Sequence, residues 1–205
     1  MAYSDTVLAW NSLIDCILGY PQAERLEEII GLVATKRSDE IPTNLIFYGG
    51  PGTGKSTILD LIAAIIPTDV IYSTDRFAFN AKNNGTINKI HIIHDFDYVT
   101  YLKESGKEVK YGDGPIIFGA TNQHPEKFIG IMPYGSTWMQ MTGYRLPKDK
   151  YLELRRAITE DLLSIRLYCG RKVIPDYDVQ YFDANTYQYF KCGWFTRKED
   201  KNERT

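Results

Sequence analysis

Positive charge is not in excess in this chain: 24 Lys and Arg stand against 26 Asp and Glu, a net charge of -2 with a pI near 5.9. A protein-wide field that gathers polyanions is excluded, so any contact with nucleic acid has to be built locally. Long hydrophobic runs are missing as well. The longest apolar stretch, residues 58–66, is interrupted by Asp60 and falls short of the roughly 20 residues that a membrane-spanning helix needs. No membrane partner is expected. Cysteine is scarce, and Cys16, Cys169 and Cys192 are scattered without the spacing of a metal site or a disulfide framework. Met1–Asp5 also lacks the basic and apolar regions of a secretion signal. Together these absences lead to the expectation of an intracellular protein with free thiols in a reducing compartment, whether cytoplasm or nucleus. There is no repeat, low-complexity tract or Gly/Ser linker to divide the chain.

What is present is one core's worth of apolar residues, 43% of 205. Ser4 or Asp5 can cap a helix that carries Val7, Leu8, Trp10, Leu13, Ile14 and Ile17 at helical spacing. Gly19-Tyr20-Pro21 stops it, and a second helix carries Leu26, Ile29, Ile30 and Leu32, making residues 1–43 a helical hairpin. From Asn44 the pattern changes to short apolar runs at 45–48, 70–72, 90–93 and 116–118, separated by helical or loop segments; a further helix is expected over 149–163. Continuous apolar strands belong in a sheet covered on both faces. The expected fold class is therefore α/β, with a central, mostly parallel sheet flanked by helices over residues 44–195. Residues 196–205 contain no apolar side chain and read as a frayed, charged tail. Tyrosine is frequent at 15, seven of them from Tyr144 onward; segment 177–189 reads as an added strand pair or a partner surface.

Gly49, Gly50, Pro51, Gly52, Thr53, Gly54, Lys55 and Ser56 fit G-x-x-x-x-G-K-[ST], after an apolar strand and before a helix opened by Thr57. The glycines bring backbone N–H groups close to phosphate oxygens, and the helix N-terminus favours negative charge. Lys55 reaches the β/γ-phosphates and the Ser56 hydroxyl ligates Mg²⁺. A nucleoside triphosphate such as ATP, with Mg²⁺, is the expected ligand. An ATPase of this type needs a second strand that ends in a carboxylate. Residues 90–97 supply it, and two registers stay open. Either Asp95 holds Mg²⁺ while Asp97, of the same side-chain parity, or a residue elsewhere polarises the attacking water; or Asp95 is the second acid and His94 stands where the magnesium carboxylate belongs. The His91-x-x-His94 spacing makes no metal site on a strand, because positions three apart face opposite sides. A third strand runs into Thr121-Asn122, whose amide can orient the lytic water or cap the turn before Pro125.

The order of these elements resembles superfamily 3 helicases, the AAA+ ATPases of small DNA viruses and plasmids, over about residues 44–146. The resemblance rests on a Walker A loop at 49–56, an acidic Walker B strand at 90–95, a basic hairpin at 103–111 and a strand ending in Asn at 116–122. It departs from the family pattern at His94-Asp95, where two acids are usual, and in the shortness of the hairpin segment. The resemblance implies a homo-oligomer, a hexameric ring, that moves on single-stranded nucleic acid, DNA before RNA, in replication of a viral or mobile-element genome. It also implies nucleotide bound between subunits, with the N-terminal hairpin as an oligomerisation collar. In such a ring Lys107 and Lys110 are the candidates for phosphate contact and Tyr111 for base stacking; the other reading is a solvated hairpin in which Glu104, Glu108 and Asp113 offset the lysines.

Arg145 stands where the family carries an arginine finger, with Arg155 and Arg156 as rivals. No His-hydrophobe-His pair precedes Gly49, so origin binding is expected of a partner protein. Two other functions fit the loop. A P-loop kinase of nucleotides or small metabolites would draw its lid from Arg145, Arg155, Arg156, Arg166 and Arg171, and a non-catalytic nucleotide-gated scaffold would account for His94. Substituting Lys107→Ala is expected to lower DNA affinity and flatten its salt dependence by about one unit of log–log slope. An unchanged slope in filter-binding titrations would remove Lys107 from the interface.

Overall fold

The computed structural model describes residues 4–35, 40, 44–66, 71–73, 90–96, 116–128 and 136–175. Asp97, Lys107, Lys110, Tyr111, Cys192, the tyrosine-rich segment 177–189 and the charged tail lie outside the described residues.

Two helices come first. In α1 (Asp5–Leu18) the Ser4 hydroxyl caps the start by accepting from the Val7 N–H, and in α2 (Tyr20–Ala34) Pro21 occupies the first turn, where its missing N–H costs nothing. Of the apolar stripes read from the sequence, Val7, Trp10, Leu13, Ile14 and Ile17 on α1 and Leu26, Ile29, Ile30 and Leu32 on α2 are buried, whereas Leu8 is exposed. Strand β1 (Asn44–Tyr48) then leads through the glycine loop into α3 (Lys55–Ile65). Strands β2 (Ile71–Ser73), β3 (Ile90–Ile93), β4 (Ile116–Thr121) and β5 (Ser136–Gln140) follow. The fold is α/β: all pairings are parallel, and the five-stranded sheet runs in the order β2-β3-β4-β1-β5.

Strand parity divides the core as a pleated sheet must. Leu45, Phe47, Ile92 and Phe118 join one large cluster with α1, α2, α3 and the C-terminal helices. Ile46, Ile93, Ile117 and Phe96 face the other way, onto Phe128 of the 3-10 turn Pro125–Phe128 and the partly buried Trp138. The N-terminal hairpin thus shares one core with the sheet.

The helix expected over 149–163 is two helices. α4 (Lys148–Glu160) stops at Asp161, whose φ of -147° is not helical and whose carboxylate accepts from the Ser164 N–H (3.1 Å) to start α5 (Leu162–Val173). An Asp N-cap is the cause, and residues 161–164 carry its signature. Strand β5 was not expected either: its sequence, STWMQ, is polar because β5 is the outer strand of the described sheet, beside β1, and only Met139 is buried.

Two side chains of α2 help to fasten the hairpin to the rest of the fold. Gln22, at the start of α2, pairs its side-chain amide with the backbone of Gln140, accepting from N–H at 2.6 Å and donating to C=O at 3.0 Å. Deeper, Glu27 accepts from Trp10 Nε1 (3.0 Å), the Tyr168 hydroxyl (3.4 Å) and Lys172 Nζ (2.5 Å), which ties α1, α2 and α5 around one buried carboxylate. Burial alone would lower the Lys172 ammonium; the hydrogen bond and charge of Glu27 outweigh it and hold Lys172 above the ordinary lysine value.

Helices α2 and α5 meet at Gly31, where an added Cβ would lie 2.2 Å from the Cys169 carbonyl oxygen and 2.8 Å from Val173 Cγ2. A Gly→Ala change inside a helix ordinarily stabilises by about 1 kcal/mol. Here backbone would have to move, and overpacking of that kind costs roughly 1–3 kcal/mol or more. Gly31→Ala is therefore expected to lower the urea midpoint; a raised midpoint would show that the two helices do not touch there.

Candidate nucleotide-binding site

Because every strand runs the same way, the loops after β1, β3, β4 and β5 gather at one edge of the sheet, and a cavity of about 520 Å³ opens there. Pockets of this size hold small ligands. Its floor is the loop between β1 and α3. Gly54 sits at φ 95°, and a Cβ on it would come within 2.9 Å of Ile17 Cγ2 on α1, so both the turn and the close approach require glycine. No side chain caps α3, and the N–H groups of its first turn have no intrahelical partner. Lys55, 8% exposed, donates to the carbonyls of Gly49 (2.8 Å) and Gly50 (2.6 Å), while Thr53 Oγ1 also donates to Gly50 O (2.9 Å). Burial pulls the Lys55 ammonium below the ordinary lysine value, and the Asp95 charge acts against that fall. A buried cation beside an uncapped helix N-terminus is an arrangement that suits an anion.

Strand β3 delivers the acid. His94 turns to α3, its Nε2 3.4 Å from Asp60 Oδ1, whereas Asp95 lines the cavity. Burial raises the Asp60 carboxyl, and the neighbouring His94 and Arg155 oppose that rise. Asp95 has φ 53°, the one positive value outside glycine among the described residues, and the next N–H, of Phe96, donates to Ala120 O (2.5 Å) on β4. Asn122, exposed at the end of β4, reaches the same cavity from between the loop and Asp95, because β4 lies between β1 and β3. Ser56 and Thr57 line it from the first turn of α3, and the Thr57 hydroxyl lies 3.1 Å from that of Tyr151 on α4.

Arg145 follows β5 in an irregular segment, and its Nη2 donates to Pro51 O of its own loop (3.3 Å). Lys55, Ser56, Asp95, Asn122 and Arg145 therefore share one space. Arg156 pairs with Glu160 on the face of α4 (3.4 Å), and Arg166 is buried, donating to the Ile65 carbonyl at the end of α3. Sequence reasoning missed the walls: Leu13, Cys16 and Ile17 from α1, and Tyr144, Leu146 and Tyr151 from the segment after β5 and from α4. Nothing in an apolar stripe distinguishes the residues that also line a cavity. Among the described residues there is no group of three or more His, Cys, Asp or Glu that could hold a metal, and no helix is long and apolar enough to cross a membrane.

No family model matches the chain, and no curated protein does. Solved structures do share its fold. An A-form apo structure of the NrS-1 C-terminal region superposes with a TM-score of 0.54 at 13% identity, covering 89% of this chain and 49% of that one. Another apo structure of the same region gives 0.53 at 13% identity, covering 94% and 55%. The chain thus spans about half the length of the structures it matches.

Left-handed backbone costs a residue with a Cβ roughly 1–2 kcal/mol, less for Asp, whose short polar side chain bonds locally, and nothing for glycine. Asp95→Gly is thus expected to be more stable than Asp95→Ala by about 1 kcal/mol in urea unfolding. Ala equal to or better than Gly would mean that position 95 is not held at positive φ.

Proposed function

We propose that the chain is a P-loop ATPase of the AAA+, superfamily 3 helicase type, an oligomeric motor on nucleic acid in the replication of a viral or mobile-element genome. The observation that carries this reading is the convergence of Lys55 and Ser56 at the start of α3 with Asp95 and Asn122 at the ends of two adjacent parallel strands. The insertion of β4 between β1 and β3 supports the AAA+ assignment, since it brings the Asn122 amide between the phosphate loop and the acid, where an attacking water would be oriented.

In the proposed site the loop N–H groups and Lys55 hold the β- and γ-phosphates of ATP. The Ser56 hydroxyl and the Asp95 carboxylate are hard oxygen donors in one cavity and suit Mg²⁺. Bound there, the ion would neutralise charge developing on the phosphate oxygens. Asn122 orients the water. Asp97 is the proposed partner acid, and Lys107, Lys110 and Tyr111 the proposed contacts to single-stranded DNA. Arg145 lies against its own loop, which favours action on the nucleotide of its own chain over a reach to a neighbour's.

Two observations weigh against the alternatives. A kinase lid needs arginines gathered over the phosphates, and among the described arginines only Arg145 lines the cavity. A non-catalytic scaffold rests on His94 and on the displacement of Asp97; of these, His94 is turned to Asp60, and the cavity-facing position is Asp95.

Fluorescent-ATP binding and phosphate release, measured on Lys55→Ala, Arg145→Ala and their mixture, test the proposal. Lys55→Ala is expected to lose binding. Arg145→Ala should bind but hydrolyse at least about 10²-fold more slowly, and mixing should restore nothing. Full ATP affinity in Lys55→Ala would remove the triphosphate reading; recovered hydrolysis in the mixture would return Arg145 to the neighbouring subunit.

A further inference from the structure

Asp95 sits where the chain changes from one face of the sheet to the other. In a continued strand, positions 92, 94 and 96 would share a face. Ile92 lies in the large core with α3, and His94 turns the same way. Phe96 does not. It is buried with Ile46 and Ile93 on the opposite face, against Gly119 of β4, where an added Cβ would lie 3.1 Å from Phe96 Cβ. The change of face takes the form of the positive φ of Asp95, 53°. A left-handed residue with a Cβ persists only where its surroundings over-determine it. After Asp95 the chain is fixed by the Phe96 ring and by the Phe96 N–H on the Ala120 carbonyl. Before it, the His94 imidazole meets the Asp60 carboxylate of α3, Nε2 to Oδ1 at 3.4 Å. Asp60 stands four residues beyond Ser56, on the same face of that helix. One side-chain contact thus joins α3 to the end of β3, a helical turn from Ser56 and one residue from Asp95, and neither partner lines the cavity.

We propose that Asp60 and His94 are positioning residues, a clasp between α3 and the end of β3 that keeps the Asp95 carboxylate in register with the Ser56 hydroxyl for a shared divalent cation. The inference rests on the proposed reading of the cavity as a nucleotide and Mg²⁺ site. Donors carried by two separate elements bind an ion well when their spacing is fixed before the ion arrives. Loss of an outer partner that fixes such donors lowers metal affinity roughly 10–100-fold. The two side chains are 32% and 41% exposed, and a pair so open to water adds little to global stability. Its effect is expected at the ion instead.

Mn²⁺ titration of the full chain with one equivalent of the non-hydrolysable analogue AMP-PNP, read by electron paramagnetic resonance, tests this beside calorimetric AMP-PNP binding in EDTA. Asp60→Ala and His94→Ala are each expected to weaken Mn²⁺ about tenfold while analogue affinity in EDTA stays within about twofold. The double variant should lose no more than either single one, because both changes open the same clasp. Asp60→Glu, which keeps a carboxylate at that place on α3, should stay within about threefold of the unaltered chain. Mn²⁺ weakened by Asp60→Ala but not by His94→Ala overturns the inference, since the Asp60 charge would then act on the ion directly. Mn²⁺ affinity unchanged in both single variants overturns it as well. So does an equal loss of analogue affinity in EDTA, because the pair would then merely hold the fold. If the unaltered chain binds no AMP-PNP in either medium, it is the triphosphate reading that fails.

Discussion

Parallel pairing is the constraint on which the rest of the structure depends. When all five strands run in one direction, every chain segment that leaves a strand does so at the same edge of the sheet. Loops from β1, β3, β4 and β5 then have to share that edge, and ligands of open α/β sheets bind in the crevice outside those strand ends. Residues ninety positions apart in sequence, Lys55 and Arg145, meet there with no contact of their own having to draw them together. The cost is that parallel strands are buried on both faces, which is why β1, β3 and β4 are almost entirely apolar up to the residue where chemistry begins.

The helical hairpin is part of the same arrangement. Its stripe enters the large core, its C-terminal carbonyls are closed by Thr142 and Gln22, and Ile17 sets how near α1 stands to Gly54. The Glu27 carboxylate adds a polar centre with three donors; a buried charge left without them would be strongly destabilising. That network holds α1, and so one wall of the cavity, in register with α5.

Much of the fold was legible because its signals are local. Apolar runs located β1, β3 and β4 almost to the residue, and the glycine pattern located the loop. Strand β5 escaped because an outer strand does not require continuous apolarity, and the break at Asp161 escaped because a helical apolar period continues across it while the cap depends on one side chain. In the site, Lys55, Ser56, Asp95, Asn122 and Arg145 were readable from residue type at the end of an element or close after it. Leu13, Cys16, Ile17 and Tyr151 were not, since a side chain that packs and one that also borders a cavity obey the same periodicity. The direction of Arg145, toward its own loop, depends on where β5 ends in space.

The amide of Gln22 occupies the outward-facing donor and acceptor of Gln140 at the outer margin of the described sheet. An incoming strand from another molecule would need that same pair of groups to begin its ladder. One glutamine therefore serves as a false sixth strand a single residue long, closing the margin against runaway edge-to-edge stacking, and a truncation that discarded the hairpin would uncover it.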